Sequence, residues 1–496
     1  MKFQFPTPYT VLMFVIVLAA AATWILPAGN YNTLSYNSGS DTFEMSTPDG
    51  ATSFEASQSK LDELGIPVEI EKFRSGAIQK PISVPGTYSE IESNPQGIIA
   101  VFMAPIKGMY EVIDIVLLVL IIGGFIGVFN HSGALDEGIM FLADRLEGRE
   151  SLLVIIVTTL IAIGGTTFGM AEETLAFYPI LVPVFLAAGY DRLVPLAVIF
   201  IGSTMGTMAS TTNPFSTIIA SDAAGINWTV GIESRIAMLV IGTTACIIYI
   251  IRYGNKVRKD PTASFLHGKK GKNPFSAIHL DKKVSRLPLK TLLLLTIFAG
   301  TFAVMIYGVA FMSWWLEEMT VLFLISAIAI GFIQRTPERI FVKEFIDGAK
   351  DLLGVCLIIA VARGVTIIMN DGYISDTILH NAVQLVEGMS GFLFLPSLLV
   401  VFFVLTFFIS STSGLAVVSM PIMSSLSQII GVPVEEIVNA YLFGAGLMFF
   451  ISPTGLALPS LGMVNVDYDS WLKFIWPLVA ILATVAVLIL WAGLYF

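Results

Sequence analysis

The sequence predicts an all-α polytopic membrane protein made of two inverted-topology repeats, each with a re-entrant helical hairpin and a broken transmembrane helix. Three observations predict it. The chain is 55% hydrophobic and only 13% charged, with a mean hydropathy of +0.81, whereas soluble domains carry about 25% charged residues. Its apolar runs have the length of about 17 to 25 residues that a helix needs to cross the hydrocarbon. Polar, helix-breaking segments interrupt those runs twice, in the same order, at an offset of about 240 residues.

Taken in chain order, the first apolar run, 9–27, follows Lys2 and is longer than a signal-peptide core. It reads as a retained transmembrane helix occupying residues 1–28. Residues 29–97 hold ten Asp/Glu against four Lys/Arg and are rich in Ser, Thr, Asn, Gly and Pro, which reads as an acidic extracytosolic insert. Residues 98–251 make the first transport repeat. Residues 252–290 carry eleven Lys/Arg against two Asp/Glu, so the positive-inside rule places this loop in the cytoplasm. Residues 291–496 supply scaffold helices and the second, inverted repeat. Further apolar runs lie at 112–129, 234–251, 291–310, 318–334, 352–369, 392–410 and 471–494. Cys246 and Cys356 both fall in apolar spans and form no disulfide or metal pattern.

Counting crossings locates the first hairpin. Four ordinary spans between residue 97 and the basic loop would leave that loop outside. A continuous helix over 151–188 would be about 57 Å long, nearly twice the hydrocarbon thickness, and GGTTFG with Glu172 and Glu173 interrupts it. A re-entrant turn there repairs the parity, and such backbone is tolerated only where protein or a wet cavity surrounds it.

The irregularity returns later in the chain. AEETLAFYP (171–179) matches SSTSGLAVVSMP (410–421), with Leu175-Ala176 on Leu415-Ala416. STTNPFS (210–216) matches ISPTG (451–455), with Thr212 on Ser452, and Gly133 aligns with Gly372. Inverted repeats with broken helices at corresponding places mark secondary transporters whose site lies near the membrane midplane.

The candidate site residues come from these four segments. Unwound backbone and hydroxyls can coordinate a cation, and half-helix N-termini offer N–H groups to a carboxylate. The substrate-binding candidates are Glu172, Glu173 and Thr174; Asn213 and Pro214; Thr412, Ser413 and Gly414; Pro453 and Thr454; and Arg363. The coupling-ion candidates are Thr211, Thr212, Ser411, Ser452 and Gly455, with sodium as the metal to test and protons as the alternative. Small residues also let helices pack closely, so the whole set, rather than any one of them, carries the reading. A buried carboxylate costs about 2.5–3.5 kcal/mol to insert, so Glu172 and Glu173 require a partner, a cavity or a proton, unless the hairpin tip is wet. Arg363, in mid-span, can pair with Glu172 or Glu173 or hold a substrate carboxylate. Asp114, Asp371 and Asp376 read as span-end residues.

GMAEETLAF, NPF after a small-residue run, TSG with a following Pro, and PT followed by LG and VDYDSWLK carry a family resemblance. The chain resembles the YfcC-type branch of the C4-dicarboxylate anaerobic carrier and arginine/ornithine antiporter-like group, within the ion transporter superfamily. The resemblance implies a multi-pass protein of the bacterial cytoplasmic (inner) membrane, a homodimeric scaffold, and coupling to an ion gradient or to exchange. The superfamily's serine-asparagine-threonine motif is absent here in literal form, and TTNP and SPTG stand in related places.

The expected function is secondary active transport, as symport or exchange, of a small organic ion. Two carboxylates against one arginine favour an amino acid, basic ones such as arginine or ornithine included. A C4-dicarboxylate carrier coupled to sodium or protons is the alternative. No enzyme is expected, since the chain has four His, no HExxH and no intramembrane Ser/His pair. A channel stays open as a further class. No bound cofactor or nucleic acid is expected; the lipid bilayer and the solute are the partners.

Overall fold

The computed structural model describes residues 7–495 except 49, 75–77, 79–80, 135–136, 139–140, 142–148, 270–286, 313, 315 and 387–388. Residues 270–286 of the basic loop therefore lie outside the described residues. Among those described, seven helices are long and apolar enough to cross a membrane. Large apolar side chains such as Leu160, Ile325 and Phe332 stand exposed on their surfaces, 61%, 60% and 79% respectively, as lipid-facing positions do.

The first helix, Pro8–Ala22, starts with Pro8 in its first turn and Thr7 as its cap, and it is shorter than the apolar run that predicts it. Its buried Leu12 and Ile16 face a pair of long antiparallel elements. One is Ile98–Glu111 followed directly by Ile113–His131. The other is Glu338–Asp371, a 34-residue helix that is about 51 Å long. Both begin well before the apolar runs at 112 and 352, because Lys107, Glu111 and the charged turns at 338–351 dilute the hydropathy signal without stopping the helix. Beside them, Leu289–Phe311 and Leu316–Gln334 pack through a Phe cluster. Phe129 stacks on Phe298 with ring centroids 4.1 Å apart, and Phe125 meets Phe323 at 5.4 Å.

The insert is a small β structure with its own core. Strand β1 (Gly29–Asn30) pairs with β6 (Ser89–Glu90). Strands β2 (Thr33–Asn37), β3 (Thr42–Thr47), β4 (Gly50–Glu55) and β5 (Ile82–Ser83) form a sheet in the order β4-β3-β2-β5. Alternation along β2 and β3 turns Leu34 and Phe43 inward. They are fully buried with Leu61 and Ile82.

Two hairpins and two broken helices fill the centre. The first hairpin runs through Glu150–Phe168, a 3₁₀ turn at Glu172–Phe177, and Tyr178–Ala187. Both its ends lie at the basic face. Glu150 pairs with Arg258 at 2.9 Å, and the same guanidinium sits 5.4 Å over the Tyr190 ring. The first broken helix, Leu193–Met208 and then Pro214–Ala223, starts at that face. It ends under the insert, where Asp222 meets Lys72.

The second hairpin, Gly391–Phe408 and Thr412–Ile430, opens toward the insert face instead. Its first arm begins beside the end of the last helix, Tyr468–Gly493, whose Trp491 donates to the Phe392 carbonyl. The second broken helix, Val434–Phe449 and then Ala457–Met463, runs from the insert face to the basic face. There Lys269 holds Asp469 at 2.8 Å, and Arg192 donates to the Val464 and Asn465 carbonyls.

Candidate functional site

The first hairpin turns because Gly169 takes a left-handed backbone, φ +74°, at the end of its arm, a conformation in which a side chain is strained. Its Cα faces Asn213, so any Cβ there would strike the Asn213 side chain at 2.5 Å. The tip therefore rests on the gap in the first broken helix.

That gap opens for local reasons. Helical bonding stops at Met208, Pro214 has no N–H to give, and the Asn213 Oδ1 caps the new segment by accepting from the Phe215 N–H at 2.8 Å. The freed groups between are satisfied by the hairpin arm. The Thr211 N–H donates to the Thr166 carbonyl at 3.0 Å, Thr166 Oγ1 donates to the Ala209 carbonyl at 2.6 Å, and Thr212 Oγ1 donates to the Thr167 carbonyl at 3.0 Å. Gly206 allows the two helices to touch, since a Cβ there would overlap the Ala162 carbonyl.

The second pair is built alike. Ser411 Oγ accepts from the Gly414 N–H at 3.1 Å and caps the second arm, while Tyr441 donates to the Thr412 carbonyl at 2.7 Å. In the break at 450–456, Ser452 and Thr454 share a hydroxyl hydrogen bond of 2.7 Å, with Pro453 between them and Gly455 following. Thr454 Oγ1 donates to the Phe407 carbonyl at 3.1 Å. This bond repeats the one between Thr212 and Thr167. Tyr468 and Trp471 satisfy the carbonyls of Ile451 and Phe450.

The two broken helices cross at Met208 against Gly446. Next to that crossing, Thr207, Ser216, Thr412, Tyr441, Gly446 and Phe449 help line a cavity of about 10 Å³, room for about one water. The first gap, the second hairpin tip and the second broken helix thus meet at one place.

Glu172 and Glu173 open the 3₁₀ turn at the first tip. Glu173 is 6% exposed, and its Oε2 accepts the Ala171 N–H at 2.9 Å. Thr174, also buried, donates to the Ala171 carbonyl at 2.6 Å. Among the described residues neither glutamate forms an ion pair. Asp114 lies in the first turn of Ile113–His131, just after Ile98–Glu111 ends, which is the span-end position expected of it.

Arg363 does not pair with either glutamate. Its Nε donates to Glu111 Oε2 at 2.6 Å, tying Glu338–Asp371 to Ile98–Glu111. Thr166, Thr167, Thr207, Ser216 and Tyr441 were not among the candidates from sequence. Only Thr166 and Thr167 were signalled, by their place inside GGTTFG.

Comparison with known proteins covers the whole length. The chain is 40% identical over 492 residues to a protein of Haemophilus influenzae described as uncharacterized, covering 98% of this chain and 96% of the relative. It is 26% identical over 488 residues to the putative basic amino acid antiporter YfcC of Escherichia coli, covering 95% and 93%. Among solved structures it is similar to the YdaH transporter of Alcanivorax borkumensis, at 14% identity and a TM-score of 0.42, with 98% of each chain covered. Residues 5–495 match the C4-dicarboxylate anaerobic carrier family. The chain belongs to that family, as a multi-pass secondary transporter of the bacterial inner membrane.

Proposed function

We propose that this protein exchanges or co-transports a small amino acid, with basic amino acids such as arginine and ornithine as the favoured solutes. The observation that carries this is the uncompensated acidity of the first hairpin tip: among the described residues Glu172 and Glu173 form no ion pair, and Arg363 is committed to Glu111. A cationic group on the solute would supply the missing charge. The solute's carboxylate would lie against the N-terminal turn of Thr412–Ile430, where the helix dipole favours an anion. The name of the Escherichia coli relative, a putative basic amino acid antiporter, agrees.

We read the two halves, 98–251 and 291–496, as inverted-topology repeats around this site. In support, the hairpins open to opposite faces, and the same hydroxyl-to-carbonyl bond locks each hairpin to its broken helix. Thr211, Thr212, Ser411, Ser452 and Gly455 remain the proposed positions for a coupling sodium, with a proton on the tip carboxylates as the alternative carrier of coupling. A homodimeric scaffold is proposed from the family resemblance alone.

The family description favours a second reading, a C4-dicarboxylate solute. It requires the tip carboxylates to be neutralised by protons or cations. Counterflow in proteoliposomes separates the two: labelled arginine accumulating against unlabelled ornithine supports the first, and accumulation of succinate alone replaces it with the second. Single-channel currents without counterflow would overturn both.

A further inference from the structure

We propose that the polar insert is the gate on its own face of the membrane, and that the Lys72–Asp222 ion pair is the latch that parts when the gate opens. The inference rests on the transport-site reading above and adds to it a route and a barrier.

The insert reaches deep. Its apolar core of Leu34, Phe43, Leu61, Ile82 and Val84 also takes in Val417 from the second hairpin, with Ile219 and Val418 packed on it. Val417 follows Thr412 by five residues and Ile219 follows Pro214 by five. Each step is about 7.5 Å along a helix, so the core of the insert sits about one and a half turns above the broken segments. A solute coming from the insert face meets this core first.

The latch is asymmetric in its surroundings. Lys72 Nζ lies 2.8 Å from Asp222 Oδ1, with the lysine 30% and the aspartate 1% exposed. Neither oxygen of Asp222 accepts a hydrogen bond from any other described group. Lys72 is thus the charge that keeps Asp222 tolerable under the insert. Lifting the insert trades that partner for water, so the closed and open states are both accessible. The Pro67 carbonyl closes the same contact from the side, lying against Gly225.

The chain ends of the insert are fastened elsewhere. The Gly29 N–H donates to the Tyr373 carbonyl at 2.9 Å, the Tyr31 N–H to Asp376 at 3.0 Å, and Asn94 Nδ2 to the Asp371 carbonyl at 2.8 Å. These bonds hold both ends of the insert to the end of Glu338–Asp371 and the helix after it, Ser375–Val386. Its middle rests on the first broken helix and the second hairpin. A part anchored on one body and resting on another can swing as a lid.

The test uses the full chain with Cys246→Ala and Cys356→Ala and a Thr412→Cys reporter, labelled by a membrane-impermeant maleimide from each face of oriented proteoliposomes. Asp222→Asn and Lys72→Ala are expected to raise labelling from the insert face at least fivefold and leave the other face unchanged. The swapped pair Lys72→Asp with Asp222→Lys returns it to the starting level. In a second arm without the reporter, Lys72→Cys and Asp222→Cys are bridged by a reductant-cleavable bis-thiosulfonate, because the span of a lysine–aspartate pair is too long for a direct disulfide. Exchange should fall below a tenth and return on reduction. Unchanged labelling from the insert face in well-folded variants, or wild-type exchange with the bridge complete, would overturn the gate. Labelling needs no solute, so it reads the gate even if the proposed solute is wrong.

Discussion

At Glu172 and Glu173 two acids sit at the tip of a buried turn, one of them 6% exposed and bonded to a backbone N–H two residues back. A carboxylate held this way is costly unless a cation or proton visits it, and in the proposed function that cost makes the pair selective. Replacing either by Gln removes the charge and keeps the shape. Glu172→Gln and Glu173→Gln are expected to insert and fold as the wild type does, judged by monodisperse elution, while transport falls at least tenfold. Wild-type rates in both would remove the pair from the mechanism. Arg363 answers to a different partner. Glu111→Ala leaves its guanidinium without a counter-charge on a membrane helix, so thermal stability should drop. Joint replacement, Glu111→Leu with Arg363→Met, should recover most of that loss, since removing both charges avoids the unpaired state. A double variant no better than the single one would show that Arg363 has another role. That partnership was not legible in the sequence, because the two residues are 252 positions apart.

The elements were far more legible than their contacts. Gly, Pro and Thr clusters break helices by known backbone rules, so GGTTFG, TTNP and SPTG gave the turn and both gaps, and hydropathy gave the long spans. What local rules cannot supply is which group satisfies each freed backbone atom. Thr166 and Thr167 do so for the first gap, and Tyr441 and Trp471 serve the second half. The hairpin–helix contact is therefore the element that can be tested by size. Gly206→Val places methyls against the Ala162 carbonyl, and overpacking of this kind costs about 1–3 kcal/mol. The melting temperature in detergent should fall, and transport with it. The same change at Gly300, which has nothing within 4 Å of its Cβ position, should leave both unaltered. Equal effects at the two sites would mean that the close contact does not matter.

Across the whole molecule the two broken helices run antiparallel, and each starts where the other ends. Arg192, before the first, bonds the carbonyls after the second, and Asn439 in the second reaches the Gly231 carbonyl after the first. A cavity of about 10 Å³ lies at their crossing, room for about one water. In the proposed function, hairpins and gaps move against the long helices and the charge at the first tip selects the solute. Counterflow of labelled arginine against unlabelled ornithine in proteoliposomes, compared between the wild type and Glu173→Gln, tests this most directly. Saturable accumulation in the wild type, abolished by the substitution, is the expected result. Accumulation of succinate but not arginine, or arginine exchange indifferent to Glu173→Gln, would contradict it.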